Sequence, residues 1–357
     1  MSSVALDPAG WPGTLPPVSV LGTSELTDTD LGYLHALHEA DRHTYEFVAG
    51  PTVPQVLRAV IEYGWDGEAP VTYVVRAGAH ADPGMDPDTI VAAMQVWYSN
   101  YDNLTNAYIE PVVLPSWRRR GIGSALVALG EAWARNNGRL WLLSGTREGA
   151  VANEEFAEKR GYRGVLREVM RRQVLADVDR DVVARELAAA REAAVDYEVI
   201  RATGRLSDEL IVGLIEVELA MNDAPRDDSA WEDEIPSVER LRASEHGQEL
   251  RGSKRYTVIT RRRSDGVVAG QTTISLHPDA PTYGHQQITA VAREHRGRRL
   301  GMLLKAEMLT WLAEAEPQLE TIETDNAGSN DHMISINEKL GYRVTGAVWE
   351  RQKHLRD

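Results

Sequence analysis

Two short segments, about half the chain apart, combine arginine and glycine in a pattern suited to binding phosphate. They read Val113-Leu-Pro-Ser-Trp-Arg118-Arg-Arg-Gly121-Ile-Gly123 and Val291-Ala-Arg-Glu-His-Arg296-Gly-Arg-Arg-Leu-Gly301. In each, a glycine-bearing turn opens a predicted helix, whose first N–H groups have no partner within the helix and lie at its positive end. Arginine adds charge-assisted hydrogen bonds, and glycine lets a ligand approach the backbone closely. The pattern therefore predicts two sites for a phosphate or diphosphate group.

Two other nucleotide-binding patterns are not supported. Gly121-Ile-Gly123 lacks the third glycine of the dinucleotide-binding fingerprint, and the βαβ repeat expected after that fingerprint does not follow. The chain has neither Gly-Lys-Ser nor Gly-Lys-Thr, which excludes a P-loop. The alternative for the arginines is a solvated start of a helix, but their repetition with the following glycines favours phosphate.

The two segments belong to a repeat that runs through the chain. Each predicted helix is followed by another that ends in glycine and tyrosine, at Lys159-Arg-Gly-Tyr162 and Lys339-Leu-Gly-Tyr342. Both halves show a pair of predicted helices, preceded in the second half by a strand at 197–200, then a meander of strands, a helix, a short buried strand, a helix and a closing strand. This order is typical of an α/β (α+β) fold with helices against a mixed sheet. Its recurrence predicts a tandem duplication of one domain.

The repeat divides the chain into four segments. Residues 1–23 form an extended N-terminal arm without the features of a signal peptide, and residues 24–175 form the first domain. Residues 176–196 are a helical linker, and residues 197–357 form the second domain. An acidic stretch from Asn222 to Glu234 has no counterpart in the first half, which predicts a long loop.

Composition limits the possible partners. The chain has 357 residues, a net charge of −15 and no cysteine. The acidic balance repels nucleic acid, the absence of cysteine excludes thiolate catalysis and cysteine-bound metal, and no apolar run is long enough to cross a membrane. We expect a cytoplasmic monomer or homodimer that acts on a small molecule, without nucleic acid, membrane or metal as a partner.

Both halves resemble the GNAT N-acetyltransferases, whose signature Arg/Gln-x-x-Gly-x-Gly/Ala lies at the pyrophosphate of acyl-CoA. The second half is similar to a GNAT group over a longer run, from His295 to Gly301, through Thr324 to Met333, and on to Asn337 and Leu340-Gly-Tyr342. The resemblance implies two tandem GNAT-like domains, each a mixed, splayed β-sheet flanked by helices. One departure is Arg299, which occupies the place of the signature's first glycine, with Gly297 nearby.

The resemblance also implies a binding site for acetyl-CoA, or another acyl-CoA, as co-substrate in each half. The valine at the end of each preceding strand would pair with the pantetheine arm, and two asparagines would line the second site. Those asparagines could equally turn the chain and cap a helix. The implied residues are Val113, Arg118, Arg119, Arg120, Gly121, Ile122, Gly123 and Ser124 in the first half, and Val291, Arg296, Gly297, Arg298, Arg299, Leu300, Gly301, Asn326 and Asn330 in the second.

Chemistry is expected in the second half only. Several GNAT enzymes have their base six residues before the valine, where this chain has His285 in the second half and Ala107 in the first. A histidine suits proton transfer near neutral pH, although a structural role is the alternative. The tyrosine that many members use to protonate the thiolate is replaced by Ala157 and Asn337. Asn337 can hydrogen-bond a thiolate, so the proton would come from solvent, Tyr283 or another residue.

These residues favour an acyl-CoA-dependent N-acyltransferase that modifies the amine of a small molecule, with His285 and Asn337 as the catalytic candidates. The alternative is a CoA-binding regulatory or scaffold protein in which one or both domains are inactive. A third hypothesis is transfer from another donor such as aminoacyl-tRNA, against which the acidic charge argues.

Overall fold

The computed structural model describes residues 10–22, 25–44 and 50–356, and these divide into two units. Unit 1 contains residues up to Leu166 together with Asp228–Asp233 and Trp349–Asp357. Unit 2 contains Arg167–Asp227 and Glu234–Val348. Of the predicted N-terminal arm, residues 1–9 and Thr23 lie outside the described residues.

Unit 1 is a mixed sheet with helices packed against it, and its strand order is β1-β2-β3-β4-β5-β12. A short strand, β1, lies within the predicted arm. The elements are β1 (Val18–Val20), α1 (Asp28–Arg42), α2 (Pro54–Tyr63), β2 (Val71–Arg76), β3 (Ile90–Trp97), β4 (Asn106–Val113), α3 (Ile122–Asn136), β5 (Trp141–Arg147), α4 (Val151–Glu158) and the end of β12 (Arg343–His354).

Local sequence explains where these elements begin. Thr27 caps α1 by accepting a hydrogen bond from the Asp30 N–H, and the Asp30 carboxylate accepts one from the Thr27 N–H, which forms a capping box. α2 begins at Pro54, whose fixed φ suits a first helical turn. Strand β4 pairs in parallel with β5 only from Asn106 to Tyr108, so its second half diverges from β5.

Unit 2 repeats the arrangement, with strand order β6-β11-β10-β9-β8-β7. Its elements are β6 (Arg163–Val174), α5 (Arg180–Ala193), β7 (Tyr197–Thr203), α6 (Asp208–Gly213), α7 (Ile215–Leu219), α8 (Val238–Leu250), β8 (Lys254–Arg262), β9 (Val268–His277), β10 (Ala280–Val291), α9 (Leu300–Ala315), β11 (Thr321–Ala327), α10 (Asp331–Lys339) and the first part of β12.

Helix α9 is the centre of unit 2. Residues on nearly every side of it are buried, and the main apolar cluster of the unit includes Leu300, Leu304, Met308 and Leu312. A helix that is apolar all round must be enclosed by other elements. This burial fixes the start of α9, where the second arginine-rich turn lies.

The sheet of unit 2 opens beside that turn. Strand β10 pairs in parallel with β11 only from Tyr283 to His285, and the rest of β10 runs on to Val291 without that partner. Strand β11 continues against β6 on its other side. The two strands therefore splay apart and leave a gap within the sheet.

The units differ from the sequence boundaries at two strands. We placed residues up to 175 in the first domain, but Arg167–Val174 of β6 belongs to unit 2, where it pairs with β11. We placed the chain end in the second domain, but Trp349–Asp357 belongs to unit 1. Among the described residues, no helix is long and apolar enough to span a bilayer.

Candidate functional site

A cavity of about 910 Å³ lies in unit 2 where β10 and β11 splay. Its wall includes Gln287 and Val291 on β10, Asn326 on β11 and the start of α9 at Leu300 and Gly301. Because it extends from the helix start into the gap in the sheet, the cavity has room for an elongated ligand. A cavity of this size is typical of small-molecule and cofactor sites.

The turn before α9 has the same backbone conformation as the turn before α3, although its glycine is in a different place. In unit 2, Gly297 and Arg299 have positive φ angles of 79° and 59°. In unit 1, the positive φ angles are 66° at Arg119 and 90° at Gly121. Each turn thus contains two residues in the left-handed backbone conformation, one of which is glycine and the other arginine. This explains how the departure from the signature at Arg299 is accommodated.

Both helix starts are open to a ligand. Neither α3 nor α9 has a side chain that hydrogen-bonds to its first N–H groups. A Cβ atom built on Gly297 would meet nothing within 4 Å, so the turn faces open space. Unpaired N–H groups at the positive end of a helix fit a diphosphate.

The first arginine of each turn braces the turn against the preceding strand. The Nε groups of Arg118 and Arg296 donate to the carbonyls of Val113 and Val291, at 3.0 and 3.2 Å. Arg118 also pairs with Asp41, at 2.9 Å. The predicted contact of these two arginines with phosphate stays a prediction, since part of each guanidinium is already bonded to protein.

Asp223 forms an ion pair with Arg296. One of its oxygens lies 2.8 Å from Arg296 Nη1, and it also pairs with Arg293. Hydrogen bonds from Arg293 and Arg296 lower the pKa of Asp223 to about 2. Asp223 therefore remains ionised. In the sequence, it was indicated only as part of the acidic stretch from Asn222 to Glu234.

Three of the four remaining turn arginines also have protein partners. Arg299 pairs with Glu186 on α5, and Arg298 donates to the carbonyl of Glu294 at 2.9 Å. In unit 1, the Arg120 guanidinium lies 4.4 Å from the centre of the Trp117 ring. The backbone amides are thus the principal groups left to bind phosphate at either turn.

The backbone of Val291 faces the cavity. The N–H of the next residue, Ala292, donates to the carbonyl of Ala269 on the β9 side. Because successive residues of a strand direct their polar groups to opposite sides, the Val291 N–H and carbonyl point away from β9, toward the splayed gap. Val291 is therefore positioned to pair with an extended ligand, and its pairing with the pantetheine arm stays a prediction.

The two asparagines predicted for the second site both line the cavity. Asn330 also caps α10, because its Oδ1 accepts a hydrogen bond from the Met333 N–H at 3.2 Å. Asn326 Oδ1 accepts a hydrogen bond of 2.7 Å from Asn337 Nδ2. Each asparagine thus has a structural bond of its own and also borders the cavity.

His285 lies where β10 and β11 part. It is at the last parallel pair, opposite Glu323, and its side chain is 44% exposed. Its Nε2 is 4.0 Å from the carboxylate of Asp325, which lines the cavity. An accessible imidazole beside a carboxylate is suited to accept a proton, with the carboxylate orienting the ring.

Asn337 and Tyr283 are less accessible than His285. Asn337 is fully buried, and its Oδ1 has no hydrogen-bond partner. The Tyr283 hydroxyl donates to Glu323 at 2.6 Å, and burial together with the Glu323 carboxylate raises the pKa of Tyr283. A hydroxyl with a raised pKa is a weaker acid than free tyrosine, so Tyr283 is poorly suited to protonate a thiolate.

Lys305, which no sequence motif indicated, lines the cavity from α9 and is only 3% exposed. Burial lowers the pKa of Lys305 to about 7. It interrupts an apolar run between Leu300 and Leu309, and Val127 is its counterpart as the sixth residue of α3. A charged residue among the apolar residues of this helix, at a position where α3 has valine, was the signal that could have found it.

Strand β10 also contains a bulge that the sequence did not indicate. Its register with β9 shifts between Gln286 and Thr289. The buried Gln286 amide donates to Thr272 Oγ1, to the Thr273 carbonyl and to the Ile288 carbonyl, at 3.0, 2.8 and 3.1 Å. A bulge frees backbone groups from the ladder. Here it lies at the cavity wall.

Unit 1 differs from unit 2 at each of these positions. Strand β4 pairs with β3 from Tyr108 to Val113 without a register shift. Ala107 and Ala157, at the positions of His285 and Asn337, are both buried. A Cβ atom on Gly121 would lie 3.7 Å from Leu15, so the N-terminal segment borders this turn. The described residues of the chain contain no cluster of metal-binding side chains.

Comparisons with known proteins agree with this architecture. The acetyltransferase (GNAT) family matches residues 34–162 and 219–342, which together are more than half of the chain. A search among curated proteins finds no match.

Several solved structures share the fold. A tandem GNAT protein from the clavulanic acid biosynthesis pathway, solved without acetyl-CoA, is 23% identical over 95% of this chain and 98% of its own, with a TM-score of 0.77. A GCN5-related N-acetyltransferase from Sphaerobacter thermophilus is 15% identical over 97% of both chains, with a TM-score of 0.62. The predicted fold of two tandem GNAT-like domains is confirmed.

Proposed function

Since the chain belongs to the acetyltransferase (GNAT) family, we propose that unit 2 is an N-acyltransferase that moves an acyl group from acyl-CoA to the amine of a small molecule. The observation that carries the proposal is the cavity in the splayed sheet, which joins the open start of α9 to the strand that bears His285. The phosphate-binding end and the strand that bears the candidate base thus border one continuous space, and Asp325, whose carboxylate is 4.0 Å from His285 Nε2, lies in its wall.

The cavity residues divide into those that hold the donor and those that act on the acceptor. The N–H groups from Gly297 to Met302 would hold the diphosphate, and the Val291 backbone would pair with the pantetheine arm. Acyl-CoA supplies an activated thioester carbonyl when it is bound. His285 takes the proton of the attacking amine, either directly or through water.

The bulge in β10 supports the same assignment. Backbone N–H groups released from a ladder can donate to an oxygen that becomes negatively charged during acyl transfer. The bulge lies between Gln286 and Thr289, next to His285 and at the cavity wall. Strand β4 of unit 1 has no such shift in its pairing with β3.

For unit 1 we propose CoA binding without chemistry. Its turn has the same two left-handed residues, but Ala107 and Ala157 cannot transfer a proton. Unit 1 would then serve a structural or regulatory role. This is the hypothesis of a CoA-binding scaffold protein, applied to unit 1 alone.

The test is release of free thiol from acetyl-CoA in the presence of a panel of small amines. We expect thiol release with at least one amine, and a loss of about a hundredfold or more in kcat for His285→Ala. Affinity for CoA, measured by calorimetry, should be nearly unchanged in that variant, because His285 lies away from the helix start. The matched control is His246→Ala, which changes an exposed histidine on α8.

Absence of thiol release with every amine would contradict the enzymatic proposal. CoA binding without turnover would favour the scaffold alternative for both units.

A further inference from the structure

Lys305 is a buried amine with no charged partner. It is 3% exposed, and among the described residues no hydrogen bond or ion pair to its Nζ is found. Its one specific contact is with Tyr342, whose ring centre lies 4.7 Å from Nζ. A buried lysine without a carboxylate is costly, and such groups occur most often where a ligand requires them.

The side chain of Lys305 reaches the cavity from α9. Lys305 lies on α9, about one and a half turns beyond the open helix start, which corresponds to roughly 7–8 Å along the axis. Gly301, one turn earlier on the same face, packs closely on α10, where a Cβ atom would lie 3.2 Å from Ile336. Lys305 therefore borders the part of the cavity between the phosphate-binding turn and the interior of the splayed sheet.

Lys305 also lies near the position that lacks an acid. It contacts Tyr342, whose N–H donates to the carbonyl of Asn337 at 3.0 Å. Asn337 occupies the place where a proton-donating tyrosine is expected from the resemblance. Tyr342 thus contacts Lys305 through its ring and Asn337 through its backbone.

We propose that the Lys305 ammonium group protonates the thiolate that leaves when the acyl group is transferred in unit 2. This inference rests on the proposed function of the cavity. Lys305 would then be the catalytic acid that replaces the tyrosine found in many family members.

The step balances in atoms and charge. The amine nitrogen of the acceptor forms a bond to the acyl carbon, and the carbon–sulfur bond breaks with its electron pair remaining on sulfur. A proton passes from Lys305 Nζ to sulfur, and the proton of the acceptor amine passes to His285 or water. Neutral Lys305 recovers a proton from solvent before the next cycle.

The energetics of this transfer are favourable. Burial alone lowers the pKa of Lys305 to about 7, and no carboxylate opposes the effect. The charged side chains at the cavity wall are Asp223, Arg296, Arg299, Asp325, Asp331 and Lys339, together with His332, and none of them pairs with Lys305 in the described part of the chain. A thiol has an ordinary pKa above 8, so the proton moves downhill from nitrogen to sulfur.

Unit 1 provides an internal comparison. The matching residue of α3 is Val127, which is 3% exposed like Lys305. A valine satisfies that position when only packing is required. The lysine occurs in the unit that also has the histidine and the bulge.

The experiment compares wild-type protein with Lys305→Met, a substitution that keeps length and removes charge. Turnover should fall by about a hundredfold in kcat with little change in KM. A second measurement is the pH dependence of kcat. Wild type should lose turnover as the pH rises above about 7, where Lys305 gives up its proton, and Lys305→Met should lack this loss.

Two controls separate charge from packing. Desulfo-CoA, which lacks the thiol, should bind wild type and Lys305→Met with equal affinity if the cavity is intact. Lys159→Met removes an exposed lysine in unit 1 and should match wild type in both measurements.

The outcomes distinguish the two proposals. If wild-type protein binds no CoA and releases no thiol, the proposed function fails and this inference fails with it. If wild type turns over and Lys305→Met shows the same kcat and the same pH dependence of kcat, only the role of Lys305 is overturned. Mass spectrometry that finds Lys305 itself acylated during turnover would also overturn it, because the residue would then be a nucleophile.

Discussion

The unpaired charge of Lys305 makes a prediction about stability that is independent of catalysis. The ordinary pKa of lysine is 10.5, and in the folded protein burial lowers the pKa of Lys305 to about 7. Between these values the unfolded chain binds a proton that the folded chain does not, so this residue makes wild-type stability rise with pH. The rise is at most about 1.4 kcal/mol per pH unit.

Lys305→Met should therefore be more stable than wild type, by at most roughly 4–5 kcal/mol at or below neutral pH. The difference should shrink as the pH rises from about 7 toward 10, because folded wild-type protein then no longer carries a buried charge; Lys305 is neutral in both states only above about 10.5. Urea unfolding across this pH range measures it, with Lys159→Met as a control whose difference from wild type stays flat. An equal gain at every pH would show that packing and not charge is responsible.

At the residue scale, the sequence predicted groups that a motif places and missed groups that only three-dimensional proximity defines. Val291, Asn326 and Asn330 follow a linear pattern, and all three border the cavity. Lys305 belongs to no pattern, and its importance comes from facing a cavity that cannot be recognised in sequence. Asp223 was hidden for the same reason, since its partners Arg293 and Arg296 lie about seventy residues away in the chain.

At the scale of elements, the two left-handed residues of each turn determine how the helix start is presented. A side chain forced into the left-handed region costs roughly 1–2 kcal/mol. Arg119 and Arg299 adopt it where another chain would use glycine, so each turn retains conformational strain. The repetition of the conformation despite the exchanged glycine indicates that the backbone shape is what matters, in keeping with amide groups as the phosphate ligands.

Gly297→Ala tests that interpretation. A Cβ atom at Gly297 meets nothing within 4 Å, so the substitution adds only backbone strain at φ 79°. Gly266, in the β8–β9 turn, has φ 74° and equally open surroundings. Both alanine variants should lose about 1–2 kcal/mol of stability in urea unfolding. In calorimetry only Gly297→Ala should weaken CoA binding, since only its turn presents amides to the cavity. Equal CoA affinity in both variants would remove the turn from the site.

For the whole molecule, the sequence predicted the duplication but not how the closing strands are assigned. Element order follows from hydrophobic periodicity, which is local. Strand partners depend on three-dimensional pairing, and β6 and β12 are the corresponding closing strands of the two halves, so the local pattern does not tell which sheet each one joins. The bulge at Gln286 was unpredictable for a similar reason, because it depends on contacts with β9.

The assignment of the chain end to unit 1 leads to a prediction about truncation. Arg351 donates to Thr146 at 2.7 Å, Lys353 pairs with Glu131 at 2.8 Å, and buried Leu355 belongs to the core of unit 1 and donates its N–H to the Leu140 carbonyl at 2.8 Å. Deletion of residues 350–357 removes these contacts together. Burial of Leu355 alone is worth roughly 2 kcal/mol, and loss of the strand leaves further buried groups unpaired.

Unit 1 should therefore unfold at lower urea concentration although the deletion removes the opposite end of the sequence. Tryptophan fluorescence distinguishes the units, because Trp311 is the single tryptophan in the residue ranges of unit 2 while the others, including the buried Trp117 and Trp133, belong to unit 1. Lys353→Met, which breaks one ion pair and keeps the strand, should shift the transition by less than about 1 kcal/mol. If the truncated protein unfolds along the wild-type curve, the chain end does not contribute to unit 1. If the transition moves as expected, each half prepared by cutting near residue 175 lacks the strand that closes its own unit. CoA binding by each unit then has to be measured in the full-length chain, with variants of one turn at a time.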